Sequence, residues 1–299
     1  MKKYLRNTFL FLAGLIFLSL SKIKNILHHY TTPSEYGCSE VEKCINNDLK
    51  TVDNWFDALH NYTQNNTYHT NKNILELGPG SDLGIGVYLL AKGCSQYSAL
   101  NIIDLLKFTP DNFYEQYFAS LKKIVNKIDI EFLEGQLANA KEGNPSKLNY
   151  KVRNDFNLVS AFEKSTIDIV LSYAAFEHFD DLDETISQLN EVCKPGAIVI
   201  AEIDLKTHSR WIRQKDPNNI YRYSRNLYKL FWFRGIPNRI RPYQYKEAFE
   251  RYGWTDISII PLMTAISSQN IYSGLNKDFI NKKNQMEYLS IMFCARKKE

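Results

Sequence analysis

The sequence lacks any Cys-x-x-Cys pair, and its five cysteines are scattered along 299 residues. Closely spaced pairs are typical of zinc sites and redox motifs, and an even number of cysteines is typical of small disulfide frameworks. Neither pattern is present. The cysteine content therefore argues against a zinc site and a disulfide scaffold, and it favours a reducing compartment.

The chain also has little net charge and no internal repeat. Its 37 Lys and Arg residues against 33 Asp and Glu residues give a formal net charge of +4, which by itself indicates no partner. This length and an apolar fraction of 44% suit one large α/β domain with additions, or two small ones. We predict an N-terminal apolar helix at 1–30, a helical lead-in and linker at 31–73, and a main domain at 74–299.

The apolar run near the N-terminus is short. Asn7–Ser21 carries no charge and is about 15 residues long, fewer than the roughly 20 that a spanning helix needs. Lys22 and Lys24 stand where a secretory signal would need small residues for cleavage. The run predicts a helix that lies in or dips into a membrane face, and a helix that caps the domain is the alternative. We expect a cytoplasmic protein at the inner face of the membrane.

The stretch Ile74–Gly86 lacks the glycine spacing of a nicotinamide-binding turn, because leucine stands where the third glycine would be. A short apolar run suited to a buried strand is followed by Gly78, Pro79 and Gly80, and then by a helical pattern. A strand, a glycine turn and a helix aim backbone N–H groups at a ligand above the strand end. Glu76 adds a carboxylate there, which suits a cationic amine better than a phosphate.

Further strands and helices alternate after this turn, which implies a parallel sheet. Glu131–Asn149 is polar and poorly patterned, and we predict an insertion there. The predicted strands are Tyr97–Asp104, Tyr150–Arg153, Asp168–Ser172 and Ala197–Ile203. Asp104 would end the second strand, where a carboxylate can accept hydrogen bonds from ribose hydroxyls; a loop or helix-cap acid is the alternative.

Three stretches then stand in a characteristic order: Glu-Leu-Gly-Pro-Gly at Glu76–Gly80, Ser-Tyr-Ala-Ala-Phe-Glu-His at Ser172–His178, and Lys-Pro-Gly at Lys194–Gly196. Over Ile74–Ile203 they resemble class I S-adenosylmethionine-dependent methyltransferases. The resemblance implies a Rossmann-like, doubly wound α/β fold, with a mostly parallel seven-stranded sheet and an antiparallel last strand. It also implies methyl transfer from S-adenosylmethionine. Asp82 departs from the family, because it replaces the usual third glycine of the turn.

The turn and the resemblance together assign candidate site residues. Asp155 is expected at the adenine end of the cofactor. His178 is the first candidate for the base that takes the acceptor proton, with a loop-holding histidine as the alternative, and His208 is the second. The histidines lack acids at ligand spacing, so we predict no metal site. The cofactor contacts are predicted to be Glu76, Gly78, Pro79, Gly80, Asp104, Asp155, Ser172 and Tyr173.

Basic and aromatic residues concentrate between Lys206 and Arg241. Ten lysines and arginines stand there against one acid, Asp216, and aromatic residues are interleaved with them. Arginine grips phosphates and carboxylates bidentately, and aromatic faces stack on sugars or bases. We predict a lid at about 206–244 that binds an anionic acceptor through Arg210, Arg213, Arg222, Arg225 and Arg239.

The predicted acceptor is an anionic small molecule or glycan, such as a phosphorylated or lipid-linked sugar. Asp216–Ser224 resembles methyltransferases associated with bacterial surface-polysaccharide loci. A basic surface that touches anionic lipid and a non-catalytic membrane-bound module are the alternatives. A nucleic-acid acceptor would also suit basic and aromatic residues, but the modest net charge and the lack of an RNA-binding module argue against it.

Overall fold

The computed structural model describes residues 2–28, 40–110, 112–265 and 271–299. Within these ranges, seven strands form one sheet: β1 (Asn73–Leu77), β2 (Gln96–Asn101), β3 (Leu148–Val152), β4 (Ile167–Tyr173), β5 (Cys193–Asp204), β6 (Trp254–Thr264) and β7 (Tyr288–Lys297). The helices are α1 (Lys2–His28), α2 (Val41–Thr63), α3 (Gly84–Ala91), α4 (Phe113–Ile124), α5 (Ile130–Glu142), α6 (Leu158–Ala161), α7 (Leu182–Val192), α8 (Arg210–Lys215), α9 (Arg225–Lys229) and α10 (Pro242–Arg251).

The strand order is β3-β2-β1-β4-β5-β7-β6. The first five strands in this order pair in parallel, and β7 pairs antiparallel with both β5 and β6. The order reverses beside β1, so the carboxyl ends of β1 and β4 flank a crevice, which is where open α/β sheets bind ligands. The predicted fold class is confirmed.

Both faces of the sheet are covered by helices. Side chains of β1 alternate between two hydrophobic clusters: Ile74 packs with α2, α3 and α4, while Leu75 and Leu77 pack with α7 and α10. Glu76 is on the same side of β1 as Ile74, beneath α2 and α3. A carboxyl group is therefore buried in an otherwise apolar layer at the centre of the sheet.

The structure differs from the sequence prediction in one strand end, and it adds one helix that the prediction did not contain. Strand β2 ends at Asn101 rather than at Asp104, because the Asn101 side chain accepts from the following amide and Asp104 caps the turn at Leu106–Phe108. The segment Glu131–Asn149 contains helix α5, which buries Leu133 and Leu137. So few buried positions leave a weak helical pattern in the sequence.

Residues 206–244 form a lid with a hydrophobic cluster of their own. Ile220, Tyr221 and Tyr223 of the lid pack with Met286 and with Leu18 of α1. The lid is anchored to the C-terminal segment by the buried guanidinium group of Arg241. That group donates hydrogen bonds to the backbone carbonyls of Asn284, Gln285 and Tyr288.

Helix α1 packs one face on the lid. Asn219 and Tyr223 donate to the carbonyls of Leu10 and Phe11, and a Cβ at Gly14 would overlap both lid side chains. The opposite face is apolar and exposed, with at least half the surface of each of these side chains accessible: Leu5, Phe9, Leu12, Ile16, Leu20, Ile23 and Leu27. By length and composition alone, Lys3–Leu27 is also long and apolar enough to cross a membrane. The division of the chain into three regions stays a prediction, and residues 29–39, where the first region would meet the second, lie outside the described residues.

Candidate active site

A cavity of about 560 Å³ opens at the carboxyl edge of the sheet, above β1 and β4. Its walls come from the turn after β1, the end of β2, the loops after β3 and β4, helix α2 and the lid. The sequence could predict most of these segments from strand order, since the carboxyl ends of parallel strands meet at one edge.

The glycine turn forms the floor of this cavity. Gly78 and Gly80 have φ angles of +74° and +81°, which other residues adopt only at a cost. A Cβ at Gly78 would lie 3.0 Å from the Ala175 Cβ in the loop after β4. The two glycines therefore let the backbone turn sharply and keep the cavity open beside Pro79, as the spacing predicts.

Glu76 makes the floor acidic. Its carboxyl group accepts a 2.5 Å hydrogen bond from the Tyr97 hydroxyl, and burial raises its pKa to about 8. Burial also raises the pKa of Asp82, whose side chain accepts from the Gly84 amide at the start of α3. A nearby positive charge favours the ionised form of a carboxyl group. A ligand with a sulfonium and an ammonium group would therefore lower both raised pKa values and be attracted to the two carboxylates. The cavity thus fits S-adenosylmethionine.

The far end of the cavity is formed after β2 and β3. Asn101 donates through its side-chain amide to the Gly80 carbonyl at 3.1 Å, which joins the end of β2 to the glycine turn. Asp155 pairs with Arg153, which lowers the pKa of this exposed carboxyl. Phe156 and Ala174 line the wall with positive φ angles of 52° and 51°, a conformation rare for residues with side chains.

Two histidines meet at the wall under the lid. The His178 Nδ1 atom lies 2.5 Å from the Gly235 carbonyl of the lid, and the His208 ring packs 4.8 Å away, measured between ring centroids. Burial lowers the pKa of His178, and burial together with the neighbouring His178 lowers the pKa of His208 to about 3. Both rings are therefore neutral at physiological pH.

The structure brings most of the predicted donor-site residues together, and it separates three from the cavity. Glu76, Gly78, Pro79, Gly80, Asp155, Tyr173 and His178 line it. Asp104 does not, because β2 ends three residues earlier and Asp104 is an exposed turn cap. Ser172 is buried below the cavity against the Leu77 carbonyl, and His208 lies behind His178.

Several lining residues were missed by the sequence prediction. Asp48 and Thr51 come from α2, far outside the motifs, and Asp180 and Arg234 come from loops. Asn101 was missed as well, because Ile102 and Ile103 extend the apolar pattern past the end of β2. Spacing along the chain also did not show that Glu177, His178 and His208 come together: one potential ligand atom of each lies within 4.8 Å of the other two.

The predicted acceptor arginines have different surroundings. Arg213 and Arg222 form ion pairs with Asp204 and Asp216 at 2.5 Å, and Arg222 is buried, so neither is free to grip an acceptor. Arg225 and Arg239 line a second cavity of about 460 Å³ between the lid and Asp180. The side chain of Arg210 lies outside what the structure describes.

The strand order and the glycine turn at the carboxyl edge define the Rossmann-like fold of class I methyltransferases. A family model described as a methyltransferase domain matches residues 53–259, and the chain belongs to this family. Members of this family use S-adenosylmethionine as the methyl donor. A search of curated proteins finds no match.

The chain is similar to several solved structures of methyltransferases. Phosphoethanolamine N-methyltransferase 2 from Haemonchus contortus is 16% identical, with a TM-score of 0.45, over 85% of this chain and 53% of that one. The CurJ carbon methyltransferase is 16% identical, with a TM-score of 0.42, over 78% of this chain and 50% of that one. A methyltransferase from Archaeoglobus fulgidus is 14% identical, with a TM-score of 0.44, over 82% of this chain and 94% of that one. The chain thus spans about half the length of the first two.

The raised pKa of Glu76 predicts a pH dependence of stability. An unfolded glutamate titrates near pH 4.3, so the folded protein binds more protons up to about pH 8. Its free energy of unfolding should therefore fall as the pH rises through this window. The substitution Glu76→Gln removes this titration, while acids remote from Glu76 contribute equally to both proteins. Denaturant unfolding without donor should show wild type losing stability relative to E76Q between about pH 5 and pH 8; parallel pH profiles would contradict the assignment.

Proposed function

We propose that the enzyme methylates an oxygen of an anionic acceptor, a phosphorylated or lipid-linked sugar, at the inner face of a membrane. The observation that carries this proposal is the second cavity, which three cations line: Arg225, Lys229 and Arg239. Asp180 lines both cavities, so an anionic group held in the second can belong to a molecule that reaches the donor in the first.

The donor cavity would hold S-adenosylmethionine through the glycine turn and its acids. Glu76 and Asp82 lie at the glycine turn and would face the charged end of the donor, while Asp155 follows β3 and would lie toward the adenine end. The bound donor supplies an already activated methyl group. The chain's main task is then to align the acceptor, and alignment of this kind lowers a barrier by about 7–11 kcal/mol.

Donor binding is tested by calorimetry with S-adenosylhomocysteine. We expect wild type to bind it and Gly78→Arg to lose binding, because a side chain there meets the Ala175 Cβ and must adopt a positive φ. Asp104→Ala is the matched control, since Asp104 is exposed and does not line the cavity. No heat from wild type, or equal binding by Gly78→Arg, would reject the proposed donor site.

The cations of the second cavity are suited to a phosphate. The Arg239 guanidinium carbon lies 4.1 Å from the Tyr228 ring centroid, and its Nη1 donates to two lid carbonyls, so the side chain is held rigidly. Arg225 and Lys229 are exposed on α9. Trp232 lines the same cavity and is half exposed, a surface on which a sugar can stack.

A nucleic-acid acceptor is the less favoured alternative. Tracking a polynucleotide backbone needs a run of free cations. Arg213, Arg222 and Arg241 instead hold the lid together through ion pairs and backbone contacts. This leaves a small basic pocket, which matches one anionic group better than an extended chain.

The acceptor site is tested by the double substitution Arg225→Ala and Lys229→Ala. Hydrogen bonds to charged groups contribute about 1.5–3 kcal/mol each, so KM for a phosphorylated sugar acceptor should rise by at least about tenfold. Binding of S-adenosylhomocysteine should not change. Lys122→Ala with Lys123→Ala, exposed on α4, is the control. An unchanged KM, or an equal rise for an uncharged acceptor, would contradict an anion site.

Membrane contact is supported by the apolar face of α1. Its other face makes hydrogen bonds with the lid, which favours a helix lying in the interface over one that spans the bilayer. Lys22 donates to the Leu230 carbonyl of the lid, which adds a further contact between the lid and α1. Lys3, Arg6 and Lys24 of the same helix can meet anionic headgroups.

Vesicle flotation tests this contact. Wild type should float with vesicles that contain anionic phosphatidylglycerol, and Ile16→Asn with Leu20→Asn should weaken binding at least about tenfold, because burial of each apolar side chain contributes roughly 1.5–3 kcal/mol. The control, Ile260→Asn with Leu262→Asn, changes two comparably exposed aliphatic side chains on β6. Failure of wild type to float, or flotation of both variants alike, would reject the membrane face.

A further inference from the structure

A compact group of metal-ligand side chains lies behind the donor cavity. Glu177 and His178 belong to the turn after β4, and His208 follows the neighbouring parallel strand β5. One potential ligand atom from each of the three side chains lies within 4.8 Å of the other two. The topology of the sheet therefore brings together two imidazoles and one carboxylate that are 30 residues apart in the sequence.

The polar atoms of this group are not satisfied. Both carboxylate oxygens of Glu177 and the Nε2 atom of His208 are buried and make no hydrogen bond within the described residues. An unsatisfied buried polar group costs about 1–3 kcal/mol. The nearest basic side chains do not meet this need, because Arg213 and Lys206 both pair with Asp204. A cation among these atoms would satisfy all of them at once.

The surroundings of His178 match those of a metal ligand. Its Nδ1 atom lies 2.5 Å from the Gly235 carbonyl and can donate a hydrogen bond to it only if it carries the proton. That tautomer leaves Nε2 with a free lone pair. Metal-binding histidines are commonly held in this way, with the second ring nitrogen donating to a backbone carbonyl.

We propose that Glu177, His178 and His208 bind a divalent first-row transition metal ion of the zinc type. Two imidazole nitrogens and one carboxylate form the usual protein ligand set of such ions and leave a further coordination position open. Ligand distances of about 2.0–2.2 Å require the three ligand atoms to come closer together than 4.8 Å when the ion binds. Of the three side chains, His178 also lines the donor cavity, so the site adjoins that cavity.

The proposed ion also gives these histidines a role in the reaction, and this step alone rests on the proposed function. An acceptor hydroxyl at the open position would have its pKa lowered by the ion. Its O–H bond breaks and the proton leaves to solvent, the oxygen bonds to the methyl carbon, and the carbon–sulfur bond of the donor breaks to give S-adenosylhomocysteine. A metal-bound His178 cannot at the same time act as a free base.

Metal binding is tested with full-length, untagged protein carrying His28→Gln and His29→Gln, which removes an adjacent histidine pair that could chelate metal on its own. The protein is stripped with a chelator and titrated with Co²⁺. We expect about one equivalent of tightly bound Co²⁺ with visible d–d absorption, displaced by Zn²⁺. Absence of a bound equivalent in this protein overturns the proposal, whatever its activity.

The ligand variants are Glu177→Gln and His208→Gln, and His69→Gln is the matched control, since His69 stacks on Phe56 away from the cluster. Both ligand variants should bind Co²⁺ at least about 100-fold more weakly and lose its absorption, while His69→Gln binds normally. Binding of S-adenosylhomocysteine checks that each variant is folded. Co²⁺ binding that survives in both folded ligand variants overturns the assignment. If the protein binds the metal but does not transfer a methyl group to phosphorylated sugars, the proposed metal site is kept and the proposed acceptor is rejected.

Discussion

The hydrogen bond between the Tyr97 hydroxyl and the buried carboxyl group of Glu76 is the contact on which the donor site depends. It joins β2 to β1 beneath the glycine turn and fixes a group that can become negatively charged in an apolar layer. A buried carboxyl with one hydrogen bond is destabilising when ionised, which is why its pKa is raised. A cationic donor bound beside Glu76 would favour the ionised carboxylate and so remove the penalty for ionising this group in a buried position.

The strand order and the donor turn could be predicted from the sequence because they depend on local patterns. Ile74, Leu75 and Leu77 mark a buried strand, and Gly78 and Gly80 mark the turn, whatever the rest of the chain does. Asp104 shows the limit of this reasoning. The local sequence does not indicate that β2 stops at Asn101. The strand ends there because the Asn101 side chain accepts a hydrogen bond from the Ile102 amide and donates one to the Gly80 carbonyl, which lies far away in the sequence.

The arginine-rich lid shows a second limit. Composition cannot distinguish an arginine that binds a ligand from one that holds the protein together. Arg222 and Arg241 are buried and bind Asp216 and backbone carbonyls, whereas Arg225 is exposed at a cavity. The carboxylate and carbonyl partners come from distant parts of the chain, so the distinction requires the fold. The grouping of Glu177 with His208 was missed for the same reason.

The lid physically connects α1 to the donor cavity. Asn219 and Tyr223 hold α1 by hydrogen bonds to its backbone, and Gly235 of the same lid sets the orientation of His178. Between the residues that contact α1 and Gly235, which contacts His178, lid side chains pack in one hydrophobic cluster that also contains Leu18 of α1. Packed interiors transmit displacement because they contain few voids. A shift of α1 against the lid would therefore be felt at His178, on the wall of the donor cavity.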